Sequence, residues 1–335
     1  MKKNNSLARL ILFLVLVLIF IMIVSLTIGR YSISLKEILD IILGVNKNES
    51  ANIVLFQVRL SRIIAAVMIG ASLAMSGASY QGIFRNPMVS PDILGASAGA
   101  GFGASLAIFL ELNGIWIQLI AFIFGLIAVL IAYSISNIIS KGSSTSTLIL
   151  ILTGTVVGSL FMAFISMIKY VGDPYDTLPS ITFWLMGGLT YITTDDILIS
   201  ILPFLIGSTI LFLFKWKINV LSFSSDEARA LGLDVKTLKG LIIIGSTLLS
   251  SLSVAIGGMI GWVGLIIPHL ARMLVGTNYK YLLPVSMLIG SIFLLVVDNI
   301  ARCAFPQELP LGVLTAIVGT PFFLYLLSRV KGGLE

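Results

Sequence analysis

Charged side chains are scarce in this sequence: Asp, Glu, Lys and Arg make up 11% of its 335 residues. A soluble globular domain carries about 25%, so the composition excludes an ordinary soluble protein. Basic residues outnumber acidic ones by 21 to 15. They lie between apolar runs and form no single patch, so we expect no nucleic-acid partner. The apolar runs recur from end to end, which predicts one transmembrane domain over residues 1–335.

Cysteine and histidine occur once each. The single Cys303 excludes an intramolecular disulfide and a cysteine-based metal site, and we expect no metal and no cofactor. The pattern G-x-x-x-x-G-K-[ST] does not occur, so the chain does not hydrolyse ATP through a P-loop. Gly95–Gly99 fits the G-x-S-x-G pattern of serine hydrolases, which requires a strand-to-helix turn. Ser97 lies instead on a small-residue face of a predicted helix, so we expect no catalytic residue and no enzyme activity.

The apolar runs predict an all-α polytopic protein with about ten transmembrane helices. A helical span needs about 20 apolar residues. The predicted spans lie near 10–29, 63–82, 93–110, 116–138, 147–168, 197–214, 241–257, 259–275, 282–300 and 311–327. A single helix over 241–275 would be roughly 50 Å long against an apolar core of about 30 Å, so the chain should break at Gly257-Gly258. Two short helices, over 34–44 and near 181–189, are expected outside the spans.

The positions of the basic residues predict the orientation. The first apolar run is longer than a signal-peptide core and no A-x-A-like site follows, so it is interpreted as an uncleaved span. With both termini in the cytoplasm, Lys and Arg are more numerous on inner than on outer segments, as the positive-inside rule requires. We expect a multi-pass protein of a bacterial or archaeal cytoplasmic membrane with cytoplasmic N- and C-termini.

Small residues recur four positions apart in several spans. Gly70, Ala74 and Ala78 share one helix face, as do Gly154 and Gly158. Such faces let helices approach closely where lipid supplies no hydrophobic drive. Each face either packs against a neighbouring helix, which we favour, or lines a ligand pathway.

The inner loop over 220–239 is the most informative polar stretch. Ser224–Glu227 fits a capping box, and Gly232 fits the left-handed residue that ends a helix. A helix of about seven residues is unstable alone, so it must dock either on its own bundle or on a partner protein. Ala228 and Leu231, three residues apart, are expected to offer that surface a small apolar face.

Two arginines lie at the predicted outer end of the second span. Arg59 and Arg62 are three residues apart and are expected to share a helix face. They either reach the phosphates of membrane lipid or present positive charge to an acidic partner. Arg302, at the outer end of span nine, could join them, although its spacing from Asp298 favours an ion pair within the chain.

The order of four segments is typical of one family. They are VRLSRIIAAVMIGASLAMSGASYQGIFRNPMVSPDILGASAGAGFG, DEARALGLD, GWVGLIIPHLARMLVG and DNIARCAFPQELPLGVLTAIVGTPFFLYLLSR. From about Val58 to Arg329 the sequence resembles the permease subunits of type II ABC importers, which move ferric siderophores, haem and cobalamin. Two positions depart from the family pattern: Ser61 stands where proline is usual, and no Leu-Gly pair precedes Asp226.

The resemblance implies ten spans per subunit and a two-fold dimer with a second copy or a close paralogue around a central pathway. It implies two cytoplasmic ATP-binding subunits and an extracytoplasmic substrate-binding protein. The residues implied to couple to the ATPase are Ser224, Ser225, Asp226, Glu227, Ala228, Arg229, Ala230, Leu231 and Gly232. Those implied to meet the binding protein are Arg59 and Arg62, with Arg302 as a further candidate.

The ligand is expected to be a metal chelate. A ferric siderophore is the first choice, and haem, cobalamin and molybdate are the others. The alternative function is a secondary transporter driven by an ion gradient. That mechanism would need ionisable residues in the middle of the spans, where the predicted spans have almost none.

Overall fold

The computed structural model of the protein describes residues 2–29, 31, 33–44, 49–140, 147–222 and 225–330. All regular elements in this part of the chain are helical. The helices are α1 (Lys2–Thr27), α2 (Leu35–Ile42), α3 (Glu49–Ile53), α4 (Ser61–Ile83), α5 (Ala96–Phe109), α6 (Gly114–Ile139), α7 (Thr147–Val171), α8 (Thr177–Met186), α9 (Thr194–Leu221), α10 (Ser225–Ala230), α11 (Val235–Gly257), α12 (Val263–Val275), α13 (Tyr279–Cys303) and α14 (Leu311–Val330). A π-helix (Val54–Leu60) joins α3 to α4, and a 3₁₀ helix (Pro91–Leu94) precedes α5.

The prediction of an all-α polytopic protein is confirmed. Within the described residues, seven helices are long and apolar enough to cross a membrane: α1, the continuous helix that ends with α4, α6, α7, α9, α11 and α13. The three other predicted spans correspond to shorter apolar helices, α5, α12 and α14. The two short helices expected outside the spans are α2 and α8.

Helix α4 forms the centre of the bundle, and nearly all its residues are buried. Its small-residue face allows backbone contact with two neighbours. A Cβ on Gly70 would lie 2.2 Å from the carbonyl oxygen of Gly290 in α13, and one on Gly77 would lie 1.8 Å from that of Gly264 in α12. Ala74 continues this face against Gly290. The interpretation of this face as a packing surface is therefore correct.

Helices α5 and α12 begin inside the bundle. They have 14 and 13 residues, which makes each about 20 Å long and too short to cross an apolar core alone. The 3₁₀ helix before α5 packs against the first turn of α12, because a Cβ on Gly264 would be 2.3 Å from Cγ of Pro91. Gly95 ends the 3₁₀ helix with a φ of 83°, a conformation that glycine adopts without strain. This arrangement buries Pro91 and Leu94 and leaves Asp92 between them half-buried.

The predicted break at Gly257-Gly258 is confirmed. Helix α11 ends at Gly257, and Gly258 has a φ of 68°. A Cβ on Gly258 would lie 2.4 Å from the carbonyl oxygen of Trp184, so glycine permits α8 to end against this turn. The Leu311 N–H then donates to the carbonyl of Gly187 at 2.9 Å, which fixes the start of α14 beside the end of α8.

Candidate functional site

The segment predicted to couple to an ATPase forms a short helix, α10. Ser224 lies outside the described residues, and with it the predicted capping box. Ser225, Asp226, Glu227, Ala228, Arg229 and Ala230 make up α10. The predicted stop at Gly232 is confirmed, since its φ is 78° and its N–H donates to the carbonyl of Arg229 at 2.8 Å.

Ala228 and Leu231 do not share one exposed apolar face, contrary to the prediction. Ala228 is fully buried in a core cluster of its own subunit that includes Val235 and Leu238. Leu231 is 68% exposed. The physical reason is that the short helix contacts the bundle through Ala228 alone of these two side chains, and Leu231, at the end of the helix, lies outside that contact. Helix α10 thus docks on its own bundle through Ala228 and presents Leu231 outward.

Asp234 fixes the chain after this turn. Its carboxylate accepts hydrogen bonds from the backbone N–H groups of Lys236 (3.1 Å) and Thr237 (3.2 Å) and from the Thr237 hydroxyl (2.5 Å). The bonds from Thr237 hold the pKa of Asp234 below its usual value. Helix α11 therefore starts from a defined N-cap, and α10 is held between two ordered helices.

Arg62 lies in a buried ion-pair network. Its Nε is 2.8 Å from Oδ1 of Asp298, and its Nη1 is 2.7 Å from Oε2 of Glu308. The Thr190 hydroxyl donates to the same Glu308 oxygen at 2.8 Å. Arg302 Nε lies 3.6 Å from Oδ2 of Asp298, which confirms the ion pair predicted from their spacing. The network joins α4, α13 and the turns before α9 and α14.

Arg59 and Arg302 bind the end of α1. The Arg59 guanidinium donates to the carbonyls of Leu26 and Tyr31, and Nη2 of Arg302 donates to that of Ser25 at 3.0 Å.

The three arginines are only 3%, 5% and 6% exposed (Arg59, Arg62 and Arg302, respectively), so they present no free positive rim. Arg59 and Arg62 contact different elements rather than one shared face. Arg59 lies in the π-helix, where residues three apart lie farther round the axis than in an α-helix.

The structure also contains a cavity of about 560 Å³ that the sequence analysis did not identify. It is lined by Asp92, Ile93, Gly95, Ser97, Ala98, Gly154, Thr155, Gly158, Ser159, Met162, Met259, Ile260 and Gly261. We call it the Asp92 cavity. The Ser97 hydroxyl donates to the Asp92 carboxylate. The small-residue face of α7 at Gly154 and Gly158 thus forms cavity wall as well as packing surface, and its role in a ligand pathway stays a prediction.

Asp92 was missed because it lies next to the predicted start of a span and reads as a loop residue. The available signal was the Pro91-Asp92 pair after a polar stretch, with Gly95 close behind. That signal predicts a turn, but it does not indicate how deeply the turn lies in the helix bundle. Only the packing of the 3₁₀ helix against α7 and α12 places the carboxylate, half-buried, beside the cavity.

Comparisons with known proteins agree with this architecture. The model of the FecCD transport family matches residues 16–329. The molybdate import system permease protein MolB of Haemophilus influenzae is 42% identical over 99% of this chain and 98% of its own length. A probable iron chelatin transport system permease protein of Helicobacter pylori is 36% identical over 94% and 96%. A solved structure, an inward-facing conformation of a metal-chelate type ABC transporter, superposes with a TM-score of 0.87 at 41% identity, covering 96% of this chain and 99% of that one.

Proposed function

Because the chain belongs to the FecCD transport family and is a polytopic permease subunit of an ABC importer, we propose that it moves a metal chelate inward by using ATP hydrolysed in a separate subunit. The observation that carries the proposal is the family match, which extends over residues 16–329 and so includes nearly every helix. The single transmembrane domain over residues 1–335 is part of this proposal.

The proposed cargo is a ferric siderophore, with haem, cobalamin and molybdate as the alternatives. One relative is named for iron chelatin and another for molybdate, so family membership alone supports both kinds of cargo. The volume of the Asp92 cavity, about 560 Å³, lies in the range of sites that hold drug-sized organic ligands. A cavity of that size suits an organic chelate better than a small oxyanion.

The proposed ATPase contact is α10 and the turn that follows it, on the cytoplasmic side. The sequence lacks a P-loop, so the energy source must lie in another chain, and the family implies two ATP-binding subunits. The exposed Leu231 and the exposed residues Glu227, Arg229 and Ala230 form the outer surface of this segment. Ala228 of α10 is buried in the core, and Asp234 caps α11 directly after it. A movement of α10 caused by the ATPase would therefore be transmitted to the transmembrane helices.

The arginine cluster of Arg59, Arg62 and Arg302 is proposed to lie at the outer end, below the substrate-binding protein. Its side chains are buried, so direct contact with carboxylates of that protein would require an exchange of their present partners. The geometry supports an indirect role more readily. The arginines hold together the ends of α1, α4 and α13 on which a binding protein would rest.

The proposed assembly is a two-fold dimer with a second copy or a close paralogue, embedded in lipid. Leu148, Leu152, Val156 and Leu160 are exposed at four-residue intervals along α7. A lipid-facing or helix-facing surface has this pattern, because spacing by four keeps side chains on one helix face. A partner subunit on α7 would also cover the mouth of the Asp92 cavity, which α7 lines.

Uptake into proteoliposomes tests the function. The permease would be reconstituted with its ATPase and binding protein and supplied with a ferric hydroxamate, haem, cobalamin or molybdate in radiolabelled form. We expect uptake of the iron chelate that requires internal ATP. Uptake that continues without ATP and follows a proton or sodium gradient would contradict the proposal and favour a secondary transporter.

A further inference from the structure

The Asp92 cavity carries an ionisable side chain that the proposed function leaves unexplained. Asp92 is half-buried in the 3₁₀ helix before α5 and lines the cavity. Within the described part of the chain, its carboxylate accepts one side-chain hydrogen bond, from Ser97, and takes part in no ion pair. A charge in the interior of a membrane protein is costly and usually marks a ligand or ion pathway.

Asp92 does not act as an N-cap of α5. The residue in that position is Gly95, and no backbone N–H of the first turn of α5 donates to the Asp92 carboxylate. The Gly95 carbonyl instead accepts from the N–H of Gly99 at 2.9 Å. The carboxylate therefore has no capping role in the described structure that would account for its burial.

The hydroxyl groups of the cavity wall each donate their proton in a hydrogen bond within the protein. Ser97 donates to Asp92, Thr155 donates to the carbonyl of Ile151 at 3.0 Å, and Ser159 donates to that of Thr155 at 2.9 Å. A hydroxyl has one proton to donate and two lone pairs to accept with. These side chains thus offer acceptors to an occupant of the cavity.

The rest of the lining adds no positive charge. It consists of glycine, alanine, isoleucine and the thioethers of Met162 and Met259. The lining therefore combines one carboxylate with hydroxyl and thioether acceptors. Such a wall favours cations and N–H or O–H donors, and it disfavours an oxyanion, which needs donors.

We propose that the Asp92 cavity is a cargo contact that takes the positively charged or hydrogen-bond-donating face of a chelate and discriminates against free oxyanions. This inference rests on the proposed transport function and narrows its cargo. It selects a chelate with amine, amide or hydroxyl donors over molybdate, although a molybdate permease is among the similar proteins.

Charge-dependent labelling of a cavity cysteine tests the inference without knowledge of the cargo. Ser159→Cys is made in a Cys303→Ser background of the full-length permease in nanodiscs. It is labelled with methanethiosulfonates of similar size that carry either a trimethylammonium or a sulfonate group. We expect the cationic reagent to react faster by about tenfold or more, since a charged cleft concentrates counter-ions by such factors. The variant Asp92→Asn, which has the same shape, should lose most of that preference.

Two further positions serve as checks. Thr155→Cys repeats the measurement from the same wall in case Ser159→Cys folds poorly. The natural Cys303, which is exposed and outside the cavity lining, should keep the same reagent ratio with and without Asp92→Asn. An unchanged ratio at both cavity positions, or no reaction at either, would overturn the inference.

Uptake measurements separate this inference from the proposed function. ATP-driven uptake of a ferric hydroxamate, together with a ratio of labelling rates that Asp92→Asn does not change, would support the importer and refute the cargo contact. A reagent ratio that depends on Asp92, in a protein that shows no ATP-driven uptake, would support the charge preference of the cavity and refute the importer. If both hold, Asp92→Leu should reduce chelate uptake by about tenfold, because a buried donor on the cargo would lose its acceptor.

Discussion

The ion pair between Arg62 and Asp298 gives the sharpest test of the architecture. Asp298 is fully buried. Its two carboxylate oxygens share the single Nε–H of Arg62, at 2.8 and 3.1 Å, and Nε of Arg302 lies 3.6 Å from Oδ2. Asp298→Ala would leave two buried guanidinium groups without their shared counter-charge. Removal of one partner from a buried pair costs about 3–5 kcal/mol.

The lower end of that range applies here. Arg62 keeps its bond to Glu308 at 2.7 Å, and Arg302 keeps the carbonyl of Ser25 at 3.0 Å. We therefore expect a loss of about 3 kcal/mol. In a protein of this size that loss corresponds to a fall of roughly 5 °C in the thermal unfolding midpoint. The assay is thermal unfolding of the detergent-solubilised permease, followed by intrinsic fluorescence and size-exclusion chromatography.

Two matched variants make the result specific. Asp298→Asn keeps the size and an acceptor oxygen, so it should lose less than Asp298→Ala. Glu308→Gln changes a partly exposed partner and should cost only about 1 kcal/mol. An unfolding midpoint for Asp298→Ala within about 1 °C of the native value would refute the assignment of the network as a stabilising element.

The same network changes how binding-protein docking must be tested. Arg59→Glu combined with Arg62→Glu would place a carboxylate beside Asp298, and we expect that protein to unfold at a lower temperature. Slower association of the binding protein with this double variant would then not distinguish the loss of a docking charge from the destabilisation of the permease. Only a variant with a native unfolding midpoint and a slower association rate would support direct contact.

Three other predictions concern orientation, coupling and packing. In a cysteine-free background, an impermeant thiol reagent on intact cells should label Asn113→Cys and leave Ser224→Cys unlabelled, and the opposite pattern would reverse the topology. Leu231→Asp should lower ATPase co-purification without a change in the unfolding midpoint, because this side chain is exposed; normal co-purification and coupled uptake would refute the coupling assignment. Gly70→Ala should destabilise the permease by about 1–3 kcal/mol, whereas Gly114→Ala, with open space around its Cβ, should leave the unfolding midpoint unchanged; equal midpoints would contradict the close packing of α4 and α13.

Local features of the chain were predictable from sequence. The break at Gly257-Gly258 and the stop at Gly232 depend on backbone conformations that glycine adopts without strain, so residue type and neighbours suffice. The ten apolar runs were predictable for the same kind of reason, since a span requires a continuous apolar stretch. The pair of Asp298 and Arg302 followed from their four-residue spacing on one helix.

Contacts between distant segments were not predictable. Arg62 and Asp298 are 236 positions apart in the sequence, and no local sequence pattern predicts that they pair. The burial of Ala228 and the exposure of Leu231 depend on where α10 ends and which side of it meets α11. The π-helix at Arg59 rotates that side chain away from Arg62, and the sequence around it reads as ordinary helix.

Sequence by itself determined the class of this protein: an all-α polytopic membrane permease without a P-loop of its own. Continuous apolar stretches and a missing P-loop are properties of the chain alone. The tertiary structure decided where the few charges lie. It pairs Arg62 with Asp298 and Glu308 inside the bundle and brings Asp92 into a cavity between α5 and α7. The close contact of Gly70 with Gly290 holds α4 against α13 and so brings Arg62 to Asp298, and the 3₁₀ helix before the short α5 brings Asp92 beside α7. Both placements depend on packing between distant parts of the chain.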